Sequence, residues 1–261
     1  MSAGRSFYGR REYFTSVDST QRVVREWMEA GVPEVAVAVA EHQTAGRGRL
    51  ARTWQAPRGA ALLLSVGFRP SGLPLRHGWR LAATVALAMV DAAEAAAGLR
   101  DGTLWLKWPN DIVAEGADGP LKMAGVLGES VATGDQVAWS AVGIGVNGDW
   151  QRAEFPPDLA PMMASLRELA GGRPIDHEAL LDEFLARLEP RYEALRGGAF
   201  DAAGWSVRQL TTGHAVAVDV GAGTLAGTAL GVDPEIGGLI VETRSGRQVI
   251  DSGEVVRCRL A

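Results

Sequence analysis

The stretch Gln43-Thr44-Ala45-Gly46-Arg47-Gly48-Arg49-Leu50-Ala51-Arg52-Thr53-Trp54 decides the reading of this chain. Before it, Val35-Ala36-Val37-Ala38-Val39-Ala40 alternates large and small residues, the period-two signature of a strand. After it, Ala60 to Phe68 is a continuous apolar run of strand length, suited to a buried position. A Gly-x-Gly loop loaded with arginines between two strands offers backbone N–H groups and guanidinium forks to one ligand. The fork matches carboxylate or phosphate, and Trp54 adds a flat apolar face for an aromatic ring. The alternative is a plain surface loop.

The loop opens a wider charge asymmetry. From His42 to Val90 there is no Asp or Glu, while Arg47, Arg49, Arg52, Arg58, Arg69, Arg76 and Arg80 all fall there. For Arg69, Arg76 and Arg80 the expectation is that carboxylates elsewhere in the fold pair with them. The chain as a whole has 26 Lys and Arg against 31 Asp and Glu, a net charge of −5, which argues against a basic nucleic-acid surface. With 47% apolar residues in 261, a large core is available, and 33 glycines imply many turns or close backbone approaches. One cysteine, Cys258, excludes an internal disulfide framework and a thiolate-cluster zinc site. No apolar signal core follows Met1 to Arg11, and Leu81 to Leu99 is broken by Asp91 and Glu94, so it reads as a buried helix. A cytoplasmic protein without membrane contact is expected.

Thr20 to Ala30, behind the cap candidates Asp18 and Ser19, and Gly78 to Ala97 have helical spacing. Leu104 to Trp108 reads as a strand, Asn110-Asp111 as a turn, Gly119 to Leu121 as a hairpin connection into a strand over Ala124 to Ser130, and Val137 to Val146 as another strand. Met163 to Ala170 and Glu178 to Leu195 are helical in period, with Leu180, Leu181, Phe184, Leu185 and Leu188 on a core face; Phe200 to Leu210 would extend that region. Five short strand-like runs then follow between His214 and Arg259, as in a small barrel. The division is placed at 210–213, giving units 1–210 and 211–261.

Generic motifs are scarce. There is no P-loop and no Gly-x-Ser-x-Gly elbow. Gly143-Ile144-Gly145-Val146-Asn147-Gly148 matches Gly-x-Gly-x-x-Gly, but prolines 156 and 157 follow where a dinucleotide site needs a helix N-terminus. Lys107-Trp108-Pro109-Asn110-Asp111 puts an amide and a carboxylate where the chain leaves a strand, which fits ligand contact and ordinary turn chemistry equally. Lys122-Met123-Ala124-Gly125 sets a lysine beside a glycine at a strand start.

Together, Asp18-Ser19-Thr20, the 43–54 loop with Pro57 and Gly59, the 107–111 block, Lys122 to Leu127 with Glu129, and Gly143 to Asn147 resemble the biotin protein ligases in order and spacing. The resemblance implies an α+β fold, a mixed central β-sheet with flanking helices (class II synthetase-like, the biotin-lipoate ligase fold), followed by an SH3-like barrel. It implies an enzyme that makes biotinoyl-5′-AMP from biotin and ATP with Mg²⁺ and then acylates a lysine of a biotin carboxyl carrier domain. Ser19, Thr20, Gln43, Gly46 and Arg47 would bind biotin, with Gly125, Gly143 and Gly145 as a floor without Cβ atoms. Arg49 and Lys122 would meet the junction of biotin carboxylate and α-phosphate; Arg52, Trp54, Asn110 and Asn147 would serve the nucleotide. Arg47, Arg49, Lys122 and Asp111 form the expected catalytic set, with Asp111 open between base, electrostatic partner and metal ligand. A contact of Arg257 or Arg259 with nucleotide is also left open, as are the metal ligands and pairing of two copies through a free sheet edge.

The chain departs from the pattern at Gln21 and at Leu50-Ala51. Seventeen residues before Asp18 are too few for a winged-helix domain, so no DNA partner is expected. A biotin- and adenylate-binding regulatory protein without turnover is the runner-up. A lipoyl or octanoyl transferase would share the core fold.

Overall fold

The computed structural model describes residues 7–260. Seven strands, β1 (Arg10–Phe14), β2 (Ala36–Ala40), β3 (Ala61–Phe68), β4 (Leu104–Lys107), β5 (Asp111–Gly116), β6 (Gly119–Thr133) and β7 (Gln136–Asn147), form one sheet in the order β1-β2-β3-β7-β6-β5-β4. β1 runs parallel to β2 and every other neighbouring pair is antiparallel, so the sheet is mixed. Five strands, β8 (Ala215–Asp219), β9 (Thr224–Val232), β10 (Leu239–Thr243), β11 (Gly246–Ile250) and β12 (Glu254–Arg259), form a second, antiparallel sheet in the order β11-β10-β9-β8-β12, of the SH3-like kind expected.

The alternation in β2 explains the layering. Ala36 and Ala38 leave room on one face for helix α1 (Thr20–Glu29), which buries Val23, Val24, Trp27 and Met28 there. Val35, Val37 and Val39 point to the other face and join the main core, where helices α2 (Trp79–Ala96) and α4 (His177–Arg196) pack. Leu180, Leu181, Phe184, Leu185 and Leu188 all lie in that core, as the helical period indicates. Two helical expectations shrink: 163–170 holds only α3 (Leu166–Leu169), and 200–210 holds the separate α5 (Ala202–Val207), because Ser165 and Asp201 each cap a fresh helix start. β1 and β5 were not read from sequence. Asp111 belongs to β5 rather than to a turn, the turn being Trp108 to Asn110, and the next turn is Ala117-Asp118 rather than Gly119 to Leu121. Ser19 occupies the N-cap position of α1 but its hydroxyl makes no cap bond.

Arg80 pairs with Glu235 at 3.3 Å, as expected. Arg69 instead donates to the Val32 and Met28 carbonyls around the end of α1, so main-chain acceptors stand in for a carboxylate. No ion pair joins Arg76 among the described residues.

The outer edge of β4 is covered by the segment leading to the second sheet: Leu106 N–H donates to Arg208 O at 2.8 Å and Leu210 N–H to Leu106 O at 2.9 Å. Arg208 also neutralises Glu94, whose side chain is 2% exposed, at 3.0 Å. Glu94 accepts the Leu104 N–H at 2.8 Å as well. Removing the guanidinium strands a buried carboxylate, so Arg208→Ala is expected to cost about 3–5 kcal/mol of unfolding free energy in urea titration; a loss under about 1 kcal/mol would refute this account of the seam.

Candidate active site

Between β2 and β3 the arginine loop folds into a small hairpin. Trp54 N–H donates to Gly46 O at 2.9 Å and Gly48 N–H to Arg52 O at 2.8 Å. A Cβ on Gly46 would run into the Trp54 carbonyl oxygen, which is why glycine stands there. At the tip Leu50 (φ 54°) and Ala51 (φ 59°) take left-handed backbone, a strained pair for non-glycine residues. Each arginine has a partner from another element. Arg47 lies 3.4 Å from Glu129 on β6, Arg49 donates to the Gly253 carbonyl at 3.1 Å, and Arg52 grips both Glu254 carboxylate oxygens, at 2.8 and 2.7 Å.

The hydrogen bond from Arg52 holds the Glu254 carboxyl below the usual carboxylate range. A depressed folded value means that this contact is fully present above the ordinary carboxylate pKa and is lost as pH falls through the lowered one. Because Arg52 is largely exposed, the pair is worth under about 1 kcal/mol. Glu254→Gln is therefore expected to speed tryptic cleavage of the 47–52 segment at neutral pH by about two- to fivefold, without changing the unfolding midpoint. Unchanged cleavage would mean that the second sheet does not steady the loop.

Beneath the loop lies a small polar pocket at the start of α1. Thr20 donates to Gln43 Oε1 through its N–H at 2.7 Å and its hydroxyl at 3.1 Å, and the hydroxyl lies 2.8 Å from Ser65 Oγ. Ser19, Gln21, Arg47, Gly125, Gly143 and Gly145 complete its wall. The free space is about 30 Å³ because the Trp54 indole lies on the glycine floor. A Cβ on Gly145 would sit 2.5 Å from Trp54 Cε2, and one on Gly125 3.2 Å from Cζ3. The Trp54 Nε1 is buried with no hydrogen-bond partner.

Next to this pocket a β-bulge between Ile112 and Val113 shifts the β5–β6 register. Bulges of this kind re-aim a side chain. Lys122 Nζ stands 2.6 Å from Asp111 Oδ1 and 5.6 Å from the centre of the Trp54 ring. The main chain of Lys122 is tied down by Ala164 N–H at 2.9 Å and by the Asn147 amide at 3.4 Å. Asn147 is fully buried, its Oδ1 unpartnered, and it also donates to Ala164 O at 3.1 Å, so it sits behind the lysine. Asn110 ties the 107–111 turn to β6 through Val126 O at 2.9 Å. A groove of about 740 Å³ opens from Lys122 and Asp111 toward Met163 and β12; Arg257 lines it and Arg259 does not.

The structure thus divides the candidates between the polar pocket and an adjoining cavity that holds Arg49, Arg52, Asn110 and the Lys122–Asp111 pair, with Gly46 in the loop hairpin and Asn147 behind the lysine. Residues 13–147 match the biotin/lipoate A/B protein ligase family. This chain belongs to that family. The biotin/lipoate ligase relatives include the bifunctional ligase/repressor BirA of Bacillus subtilis, 34% identical over 245 residues that span 93% of this chain and 72% of that protein. They also include the biotin–[acetyl-CoA-carboxylase] ligase of Mycobacterium tuberculosis, 33% identical over 226 residues, 85% of this chain and 79% of that one. The solved biotin protein ligase of Aquifex aeolicus in complex with biotin and ATP superposes with a TM-score of 0.77 at 28% identity, covering 97% of this chain and all of that one. Within this ligase fold, sequence reasoning missed Ser65, Lys107 and Glu254. Lys107 stands inside a quoted motif, whereas Glu254, 202 residues from Arg52, leaves no local signal.

Proposed function

We propose that this protein joins biotin to ATP, forming biotinoyl-5′-AMP and pyrophosphate, and then passes the biotinyl group to a lysine of a biotin carboxyl carrier domain. One observation carries the reading: the Lys122–Asp111 pair stands where the polar pocket of Ser19, Thr20 and Gln43 meets the cavity of the arginine loop. A ureido ring offers donors and acceptors that match a hydroxyl pair and a glutamine amide. The glycine floor would take the flat bicyclic ring once Trp54 lifts from it and turns to cover the adenine. Arg47, Arg49 and Lys122 would offset the repulsion between carboxylate and α-phosphate, and Arg52 would close with the loop. Asn147 would act through Lys122, by fixing its main chain, and Asn110 through the turn that presents Asp111.

Mg²⁺ commonly binds through one or two carboxylates and the substrate's phosphates. Asp111, with one oxygen on Lys122, suits that as well as it suits drawing a proton from the acceptor lysine. When bound, the ion would neutralise polyphosphate charge. Among the described residues no helix is long and apolar enough to cross a membrane.

The test is ATP-dependent transfer of labelled biotin to a purified carrier domain. Transfer is the expected result. Tight biotin binding with neither transfer nor pyrophosphate release would favour the non-catalytic binder instead.

A further inference from the structure

The polar pocket has a deep end to which no role has yet been given. Across β6 and β7 Gly125 faces Gly145 and Leu127 faces Gly143. A Cβ on Gly125 would lie 3.3 Å from Lys122 Nζ, so Gly125 and Gly145 form the end of the floor beside the lysine. Gly143 lies two residues further along the strand, about 7 Å away. There a Cβ would come within 3.1 Å of Gln21 Oε1 and 3.3 Å of Ser65 Oγ. Both side chains are buried, and both line the pocket. Gln21 is also a position at which the sequence departs from the family pattern.

The hydrogen bonds fix what these atoms offer. Gln21 Nε2 donates to Leu127 O at 3.2 Å and to Ala141 O at 3.5 Å. Carbonyls only accept, so the amide is held with its Oε1 toward Gly143, and no donor meets that oxygen among the described residues. The Thr20 N–H only donates, so the Gln43 atom 2.7 Å from it is the oxygen. That oxygen also takes the one hydroxyl proton of Thr20, at 3.1 Å. The 2.8 Å contact between Thr20 and Ser65 therefore carries the Ser65 proton, and Ser65 Oγ keeps a lone pair for the pocket. Gln43 Nε2 is left as a donor without an acceptor among the described residues. The pocket thus shows an amide N–H and two acceptors that converge at Gly143.

We infer that Gln21 and Ser65 select the acid by its ring: Gln21 Oε1 and Ser65 Oγ accept the two ureido N–H groups, and a ring without N–H is turned away. The inference rests on the biotin reading and deepens it. A cyclic urea has one carbonyl and two N–H groups, the complement of what the pocket shows. The family covers ligases of biotin and of lipoate. The dithiolane of lipoate has no N–H, so its entry strips water from both oxygens and leaves them unpaired.

The whole chain is compared with Gln21→Met and Ser65→Ala in calorimetric titration. The ligands are biotin, lipoate and the ketone isostere of biotin, in which CH₂ replaces each ureido N–H. Wild type is expected to bind the ketone about tenfold to a hundredfold more weakly than biotin, and lipoate more weakly still. Each variant is expected to narrow the gap between biotin and ketone by about fivefold or more, through weaker binding of biotin. Affinity for the ketone stays within about threefold, a pattern that general damage to the pocket does not produce. Ser65→Ala keeps the Gln21 bonds to β6 and β7, so it gives the same readout if Gln21→Met fails to fold. Equal affinity of wild type for biotin and ketone, or lipoate binding within about tenfold of biotin, overturns the selection. So does an unchanged gap in the variants, or an equal loss of both ligands. A wild type that binds no biotin overturns the biotin reading itself, and the selection with it.

Discussion

Lys122→Ala is expected to lower kcat/KM for carrier biotinylation by about a thousandfold or more, while biotin binding and the unfolding midpoint stay close to wild type. Two effects add. The substitution removes the cation nearest the encounter of carboxylate and phosphate, a group whose counterparts in preorganised sites contribute about 10²–10³ in rate. It also takes from Asp111 the ammonium that stands 2.6 Å from its Oδ1, leaving only the more distant Arg52 charge to act on it. A carboxylate stripped of its nearest cation beside an arriving phosphate adds repulsion to the lost attraction. The fold is spared because the Lys122 side chain is a third exposed and its main chain keeps its bonds to Ala164 and Asn147. Single-turnover assays with and without ATP, beside a thermal melt, check both halves. A loss under about tenfold would move the reacting centre away from Lys122.

Gly145→Val is expected to weaken biotin binding by about tenfold to a hundredfold in calorimetric titration. In the ligand-free chain a Cβ at this position comes within 2.5 Å of the Trp54 indole, so the ring must leave the floor. The same atoms fill the space into which the bicyclic ring is proposed to descend, and overpacking of this size costs about 1–3 kcal/mol. Gly145 faces Leu63 and Gly125 across β7, and that ladder survives the change. If biotin still binds at wild-type strength while only Trp54 emission changes, the glycine floor serves the indole and not the ligand.

How much of this was legible follows from what each signal depends on. Period and apolarity belong to short stretches, so the core strands β2, β3 and β7, helices α1, α2 and α4 and the five strands after residue 213 could be read directly. β1 was not, because Arg10-Arg11-Glu12 at a sheet edge carries no alternation of burial to read. Asp111 was read as a turn residue because Pro, Asn and Asp favour turns, yet it pairs with Lys107 and Gly125. The members of the pocket were legible as motif blocks, since glycine spacing and arginine forks state their chemistry locally.

Sequence by itself determined the mixed α+β architecture, the family, and the kinds of group that surround the site. Only the tertiary structure decided which arginine meets which carboxylate, that Trp54 rests on the glycine floor, and that Asn147 stands behind Lys122 rather than beside it. The reason is physical: charge pairing and closed space depend on distances between elements far apart in the chain, such as the 202 residues between Arg52 and Glu254. Periodicity carries information over only a few residues.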